Sequence, residues 1–273
     1  MSTAVPSGPV SPPSTGSSSS TPVTVPPALA SREPRVVDRG IARHESLLAA
    51  LWRVDGTVKV TRDVDASRAE LRGTVSVGGR LAADTLTSRG VLEVGGALDV
   101  RSVGRIRGSV RASGPVEARE LTVEGSARLE SAFAVERTCS IRGSLSAPSV
   151  RAGILLLEGE ARIPGEVEAL RVDATFLRPS ALGTVRSPIV RLRGHLPNLV
   201  DKVFFHAERS RVERVEADRA ELEGIDVHFV RAEQIVLGRG CHVTEVEGTI
   251  VRRHPTSSVG PQSKSPPPYG LRR

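Results

Sequence analysis

Apolar and polar residues alternate with a period of two along most of the chain after residue 53, and glycine interrupts the alternation at regular intervals. Glycines recur at nearly equal spacing, at Gly56, Gly73, Gly90, Gly108, Gly125, Gly143 and Gly159. A charged residue usually precedes each of them, and apolar residues usually lie two positions before and two positions after. Such alternation is typical of strands with one face inside, and glycine enters the positive-φ backbone of a tight corner without steric cost.

The same ten-residue frame returns several times: Val64–Gly73 is matched by Val116–Gly125 and by Val215–Gly224. A unit of about 17–18 residues is too short for a helix-containing repeat or a propeller blade. It suits one coil of a parallel β-helix, in which three short strands are joined by tight corners. The sequence therefore predicts an all-β solenoid over residues 54–252, with about eleven coils stacked ~4.8 Å apart.

Each coil should bury a few small aliphatic side chains, and equivalent positions of successive coils should form columns. Leu71, Val123, Ile141 and Leu157 hold the same place in the frame, so we expect them to be buried in one column. Aromatic residues make up only 3% of the chain. We expect a narrow interior in which a bulky aromatic side chain packs poorly.

The segments outside the regular repeat differ in composition. Residues 1–40 form a Ser/Thr/Pro-rich head and residues 253–273 a proline-rich basic tail, and both are predicted to be disordered because they have little apolar surface to bury. Residues 174–211 interrupt the repeat with three prolines and the Phe204-Phe205 pair. There we expect looser coils and an inserted loop or short helix.

Residues 41–53 are predicted to form a short amphipathic helix or a cap. Leu47, Leu48, Leu51 and Trp52 recur at roughly helical spacing directly before the first coil. A helix of about three turns is marginal alone in water. We expect these four residues to cover the open end of the solenoid or, alternatively, to contact a membrane or a partner.

The net charge is +7, and nearly all of the positive charge comes from arginine. The arginines alternate with Glu and Asp along the chain, and the aromatic residues of a base-stacking platform are missing, so a nucleic-acid partner is not expected. Cys139 and Cys241 lie far apart in sequence, and we expect them to be buried reduced thiols. The chain begins without a secretory signal pattern and has no apolar run of membrane-spanning length, which predicts a cytoplasmic protein that could still associate with a membrane.

In its Gly-x-Val/Leu turns at the repeat spacing just described, its charged-apolar alternation and its Ser/Pro-rich and proline-rich ends, the chain resembles the bactofilins, a family of polymer-forming cytoskeletal proteins. The likeness covers residues 54–165 well and residues 212–250 loosely, and the solenoid here is about twice as long as a bactofilin core. The resemblance implies a right-handed β-helix of triangular section that assembles end to end without nucleotide. A structural protein whose main partner is itself is therefore expected, with protein cargo or a membrane bound through the tails.

Two enzymatic alternatives stay open. Hexapeptide-repeat acyltransferases have left-handed β-helices of about 18 residues per coil and use a histidine as general base, for which His195, His206 and His228 are the candidates. A strict six-residue repeat would keep every coil at one length, whereas the glycine spacing here varies. A carbohydrate-active β-helix would need clustered acids with aromatic platforms. The chain carries no P-loop, dinucleotide fingerprint or metal-spaced His/Cys set, so no cofactor or metal is expected.

Overall fold

A computed structural model describes residues 35–195, residues 209–260 and the backbone of residues 262–263. All regular elements within these ranges are β-strands. They are β1 (Arg35–His44), β2 (Leu47–Val60), β3 (Val64–Val77), β4 (Leu81–Val94), β5 (Leu98–Ala112), β6 (Val116–Leu129), β7 (Phe133–Ser146), β8 (Val150–Phe176), β9 (Ala181–Arg186), β10 (Ile189–Arg193), β11 (Arg211–Glu223), β12 (Asp226–Leu237), β13 (His242–Arg253), β14 (Ser258–Val259) and β15 (Gln262–Ser263).

The strands form one parallel sheet that winds into a β-solenoid, as the sequence predicts. Strands β1 to β8 pair in chain order, and β9 and β10 carry the stack from β8 to β11 and on to β13. The register follows the repeat: Leu47 pairs with Val64, and Val64 pairs with Leu81, one coil further on. The solenoid has about 12 turns, close to the predicted number.

Each regular coil turns three faces toward the core. In β3 the inward pairs are Val64 and Ala66 on the first face, Ala69 and Leu71 on the second, and Val75 and Val77 on the third. Within a pair the spacing is two residues, as in any strand with one buried side. Between pairs it is three or four, because each corner adds outward residues.

The inward residues of successive coils form the predicted columns. Leu71, Val123, Ile141 and Leu157 are all buried. Val123 pairs with Ile141, and Ile141 pairs with Leu157. The registers of the intervening strands place Leu71 in the same column. The prediction of a shared column is therefore confirmed.

The corner between the second and third faces is built on glycine. Gly73 has φ +105°, and a Cβ placed on it would overlap the carbonyl oxygen of Gly56 in the preceding coil. The same overlap recurs at Gly125, where φ is +136° and the obstructing oxygen belongs to Gly108. Glycine is therefore needed at this corner both for its backbone conformation and for the close approach of neighbouring coils.

The helix predicted for residues 41–53 is wrong. Residues 35–44 and 47–60 are strands β1 and β2, and they make up the first coils of the solenoid. The four-residue spacings of Leu47 to Leu51 and Leu48 to Trp52 imitate a helix because the corner between two faces interrupts the period of two. The solenoid thus begins before Val54, and residues 35–40, assigned to the head, are part of β1.

The interior holds larger side chains than the composition suggests. Trp52, Phe133 and Phe176 are among the largest fully buried residues, contrary to the expectation that aromatics pack poorly inside. Trp52 is accommodated because its column neighbours, Val36 and Ala69, are small. A large residue is therefore tolerated where the coils on either side provide the volume.

The irregular region continues the stack. β9 and β10 lie at the predicted interruption, and β9 pairs with β8 on one side and with β11 on the other. Arg186 of β9 and its in-register partner Glu216 of β11 are separated by 30 positions in sequence, so this coil is much longer than a regular one. Phe204-Phe205 and His206, within it, lie outside the described residues.

The solenoid extends into the segment that was predicted to be the C-terminal tail. Arg253, assigned to the tail, is the last residue of β13, and Ser258–Val259 forms β14. Residues 254–260 of the predicted tail are described, whereas the disorder predicted for residues 1–34 and 264–273 falls on residues that are not described.

Candidate functional site

The four residues predicted to cap the solenoid or contact a membrane or partner do not act together. Leu47 and Trp52 point into the core, Leu51 lies partly buried at a corner, and Leu48 points outward and is 76% exposed. Leu47 and Trp52 are thus needed for packing, and only Leu48 is open to a partner.

A polar cluster ends the core on the N-terminal side. The Asp38 carboxylate lies in the column of Val54 and accepts a hydrogen bond of 3.0 Å from Nε1 of Trp52. Nε2 of His44 lies 3.0 Å from both carboxylate oxygens of Asp38. Two inward polar residues, Asp38 and His44, therefore stand at the N-terminal end of the apolar columns. The sequence offered no signal for this cluster, because Asp38 stands in a segment assigned to the head.

The outer surface at the same end is unusually apolar. Val37, Ile41 and Leu48 are 52%, 83% and 76% exposed. In the next coil their in-register partners are Arg53, Thr57 and Asp65. Each of the three faces therefore carries one exposed aliphatic residue, at a position where the next coil carries a polar residue. We call Val37 and Leu48, together with the free edge of β1, the N-terminal rim.

Backbone edges remain open at both ends of the described solenoid. Of the described strands, only β2 pairs with β1, so the outer backbone groups of β1 have no described partner strand. At the other end, β14 and β15 pair with β13 only at His242–Val243 and Val246–Glu247. The rest of β13 faces no further strand among the described residues. Such edges can pair with another chain.

One long side of the solenoid forms a shallow groove of about 1330 Å³, lined by the outward residues of the first face and the corner after it. We call this surface the groove face. Its arginines pair with acids one coil away: Arg151 lies 2.9 Å from Glu168, and Arg231 lies 2.9 Å from Glu247. Charge here is largely neutralised within the protein.

Arg186 shows how strongly these ladders are coupled. Its guanidinium bridges Glu216, at 2.9 Å, and Glu166. The hydrogen bond to Glu216 raises the pKa of Arg186. Burial disfavours the ionised form of Glu216, but hydrogen bonds from Arg186 and Arg214 outweigh it and lower the pKa of that carboxyl.

A second surface is basic. It comprises the corner residue before each glycine and the outward residues of the third face, in the coils from β1 to β6. We call it the basic face; its cations are Arg39, Arg43, Lys59, Arg72, Arg89, Arg107, Arg111 and Arg128, and its acids are Asp55, Glu93 and Glu124. Sequence reasoning missed this surface because arginine and acid alternate along the chain, and only coiling separates them onto different sides.

The residues proposed for chemistry are scattered. His195 lies just after β10 and His228 lies in β12, and both are exposed; His206 is outside the described part of the chain. Within residues 35–195 and 209–260, no group of three His, Cys, Asp or Glu residues could hold a metal ion. The described residues also contain no helix long and apolar enough to cross a membrane.

The two cysteines are buried free thiols, as predicted. Burial raises the pKa of Cys139 to about 12. Burial also raises the pKa of Cys241, although backbone hydrogen bonds from Ile225 and Gly224 oppose the shift. Both side chains therefore behave as small apolar residues of the core at neutral pH.

Comparison of the chain with protein-family models, with curated proteins and with solved structures gave no match.

Proposed function

We propose that this chain is a structural protein that associates with copies of itself through the ends of its solenoid, without nucleotide, and so forms a scaffold of the kind that the bactofilin resemblance implies. The observation that carries the proposal is the N-terminal rim. There the free backbone edge of β1 lies beside the exposed side chains of Val37 and Leu48.

Backbone and side chains favour the same kind of contact. A strand added along β1 would satisfy the N–H and C=O groups that have no described partner strand, as in other cases of edge pairing. Burial of exposed aliphatic side chains adds about 25 cal/mol per Å² of apolar surface removed from water. If identical ends meet, the contact is two-fold, and association at both ends produces a filament.

The polar cluster would lie at the centre of such a contact. The buried Asp38 carboxylate already accepts a hydrogen bond from Trp52 and contacts His44. Two solenoids meeting at this end would thus place a satisfied polar group between their cores, rather than bare aliphatic columns. Such an arrangement favours association in a defined register over indiscriminate stacking.

The spacing of inward residues supports this proposal over an acyltransferase. In the coil of β3, Val64, Ala69 and Val75 are separated by five and six residues. A hexapeptide repeat would keep six at every face. The exposed His195 and His228 lie on different coils, and no observation singles out either as a general base.

The test uses the full chain and changes only the rim. We expect Val37→Glu together with Leu48→Glu to reduce assembly, because two like charges on each copy would meet at the contact. Leu170→Glu is the matched control, since Leu170 is an exposed aliphatic residue on the groove face, remote from the ends. Trp52 is left unchanged because its replacement would damage the core.

Sedimentation velocity and negative-stain electron microscopy measure the outcome. We expect wild type and the Leu170 variant to form particles longer than one solenoid, and the rim variant to sediment as smaller species. A wild-type protein that stays monomeric at all concentrations would contradict the proposal. Discrete trimers that transfer an acyl group would replace it with the enzymatic alternative.

A further inference from the structure

The basic face differs from the groove face in that most of its cations form no ion pair with a described residue. Of its eight cationic side chains, only Arg107 forms an ion pair with a described residue, Glu124, at 2.9 Å. The others form no ion pair with a described residue, although Arg72 adds to the effect of Arg53 in lowering the pKa of the Glu70 carboxyl. On the groove face, by contrast, most arginines are held by acids of the neighbouring coils.

The register places like charges directly beside one another. In the strand register, Arg72 lies opposite Arg89, and Arg89 lies opposite Arg107, on three consecutive coils. Arg111 pairs with Arg128 on the adjoining face. Neighbouring strands lie about 4.8 Å apart, and like charges directly opposite each other are destabilising. The chain neutralises most arginines of the groove face but keeps a row of like charges here, which points to an external anion.

Hydroxyl groups accompany the arginines. Ser109, Ser126 and Ser144 are in register on consecutive coils of the third face. Together with Arg111 and Arg128 they line a shallow depression of about 550 Å³, in which Arg162 is paired with Glu160 and Glu93 is the other acid. Guanidinium and hydroxyl groups both donate hydrogen bonds to phosphate oxygens.

An exposed aliphatic residue stands at the N-terminal end of the same face. Ile41 is 83% exposed and is paired in register with Thr57. Arg39 and Arg43 are its nearest outward neighbours on its own strand, and Lys59 is paired with Arg43 in the next coil. An aliphatic side chain among cations is the pattern of a surface that rests on an anionic bilayer.

This combination favours lipid over nucleic acid. A lipid surface can bind the cations through its headgroups and bury the exposed Ile41 among its acyl chains. The phosphate backbone of a nucleic acid offers no apolar surface on which Ile41 could be buried. No aromatic residue is among the exposed large hydrophobic side chains of the described residues, so single-stranded bases would find no stacking partner there.

We propose that the basic face is a binding surface for an anionic phospholipid membrane. Arg72, Arg89, Arg111 and Arg128 contact phosphate or carboxylate headgroups, and Ile41 enters the interfacial region. The inference is independent of self-association, since a single solenoid carries the whole surface.

The test is co-sedimentation of the full chain with vesicles of pure phosphatidylcholine and with vesicles containing phosphatidylserine. We expect binding only to the anionic vesicles, weakened by salt because surface charges are screened. Arg89→Gln, Arg111→Gln and Arg128→Gln together should lower affinity by at least about tenfold. The control removes the same charge elsewhere through Arg119→Gln, Arg178→Gln and Arg239→Gln, and should bind nearly as wild type does.

Ile41→Ser provides a second, charge-neutral variant. We expect it to bind anionic vesicles more weakly, with the remaining binding more sensitive to salt, because the apolar contribution is lost. All these positions are exposed, so melting curves should match wild type and exclude misfolding as the cause.

Several results would overturn the proposal. These are equal binding to neutral and anionic vesicles, equal losses in the two triple variants, or no vesicle binding by wild type. Retention of duplex DNA in place of vesicles would assign the basic face to nucleic acid instead. Measuring the Val37/Leu48 rim variant alongside keeps this test separate from self-association, since that variant retains the whole basic face.

Discussion

The regular coils and the C-terminal coils reach the same stacked architecture with different chain lengths. In the regular coils, in-register partners such as Arg53 and Glu70 are separated by 17 positions in sequence. Further along the chain, Arg186 and Glu216 are separated by 30 positions, whereas Arg231 and Glu247 are separated by 16. The sheet is parallel throughout, and most inward residues are aliphatic in both regions.

The difference lies in the corners. In the regular coils, glycines with positive φ stack directly on one another from Gly40 to Gly159. In the C-terminal coils, Gly248 has a similar φ of +135° but lies against Ala232 rather than against another glycine. Gly224 and Gly240 have φ +64°, and Gly238 has no positive φ. The inward columns are therefore the stricter requirement of the fold. Coil length can vary wherever a corner is free to lengthen or shorten.

The largest expected effect comes from breaking a column. Ile141→Asp would bury a carboxylate without a partner among Val123, Leu157 and their neighbours. We expect a loss of more than about 4 kcal/mol in the free energy of unfolding, which would abolish the fold of the regular coils. Ile154→Asp, at an outward position of the adjoining coil, should stay within about 1 kcal/mol of wild type. Chemical denaturation measures both, and equal effects would contradict the inward register.

Corner substitutions should separate the two regions. Gly125→Ala places a methyl group against the carbonyl oxygen of Gly108 and forces a residue with a side chain to φ +136°. We expect a cost of about 3 kcal/mol. A Cβ on Gly238 would lie 3.0 Å from Cβ of Glu223 and 3.2 Å from the carbonyl oxygen of Leu222, close contacts that a shift of a few tenths of an ångström relieves. Gly238→Ala should therefore change stability by less than about 1 kcal/mol.

If Gly238→Ala proved as damaging as Gly125→Ala in denaturant titrations, the C-terminal corners would be as constrained as the regular ones. The contrast between the two regions would then disappear.

The smallest expected effect concerns the two buried thiols at alkaline pH. The folded-state pKa of Cys139 is about 12, above the ~8.5 of an unfolded thiol. The unfolded chain therefore loses its proton first as pH rises, and stability falls across this window. Between pH 8 and 10 the loss attributable to Cys139 should be about 2 kcal/mol.

Cys139→Val should remove this pH dependence, and Cys241→Val should remove less of it, because backbone hydrogen bonds oppose the shift at Cys241. Unfolding free energies measured at pH 8 and pH 10 give the comparison. A pH dependence unchanged by Cys139→Val would indicate that its thiol ionises in the folded protein.

Predictions from the sequence succeeded where the signal is local and repeated. The column of Leu71, Val123, Ile141 and Leu157 followed from period-two alternation between glycines, and the structure confirms it. The prediction for residues 41–53 failed because one corner inside a short segment shifts the apolar spacing toward that of a helix. The polar cluster of Asp38, His44 and Trp52 could not be predicted from the local sequence, because it depends on which residues of successive coils lie in register.

The sequence by itself determined the solenoid, because alternation and corner glycines specify inward and outward residues one coil at a time. Tertiary structure alone decided how charge is distributed. Asp65 and Arg72 are close in sequence, yet Asp65 lies on the first face beside Arg101, while Arg72 is stacked against Arg89. A coil turns neighbours in sequence toward different sides and brings together residues that are a full coil apart. For this reason the groove face, the basic face and the N-terminal rim exist only in the folded chain.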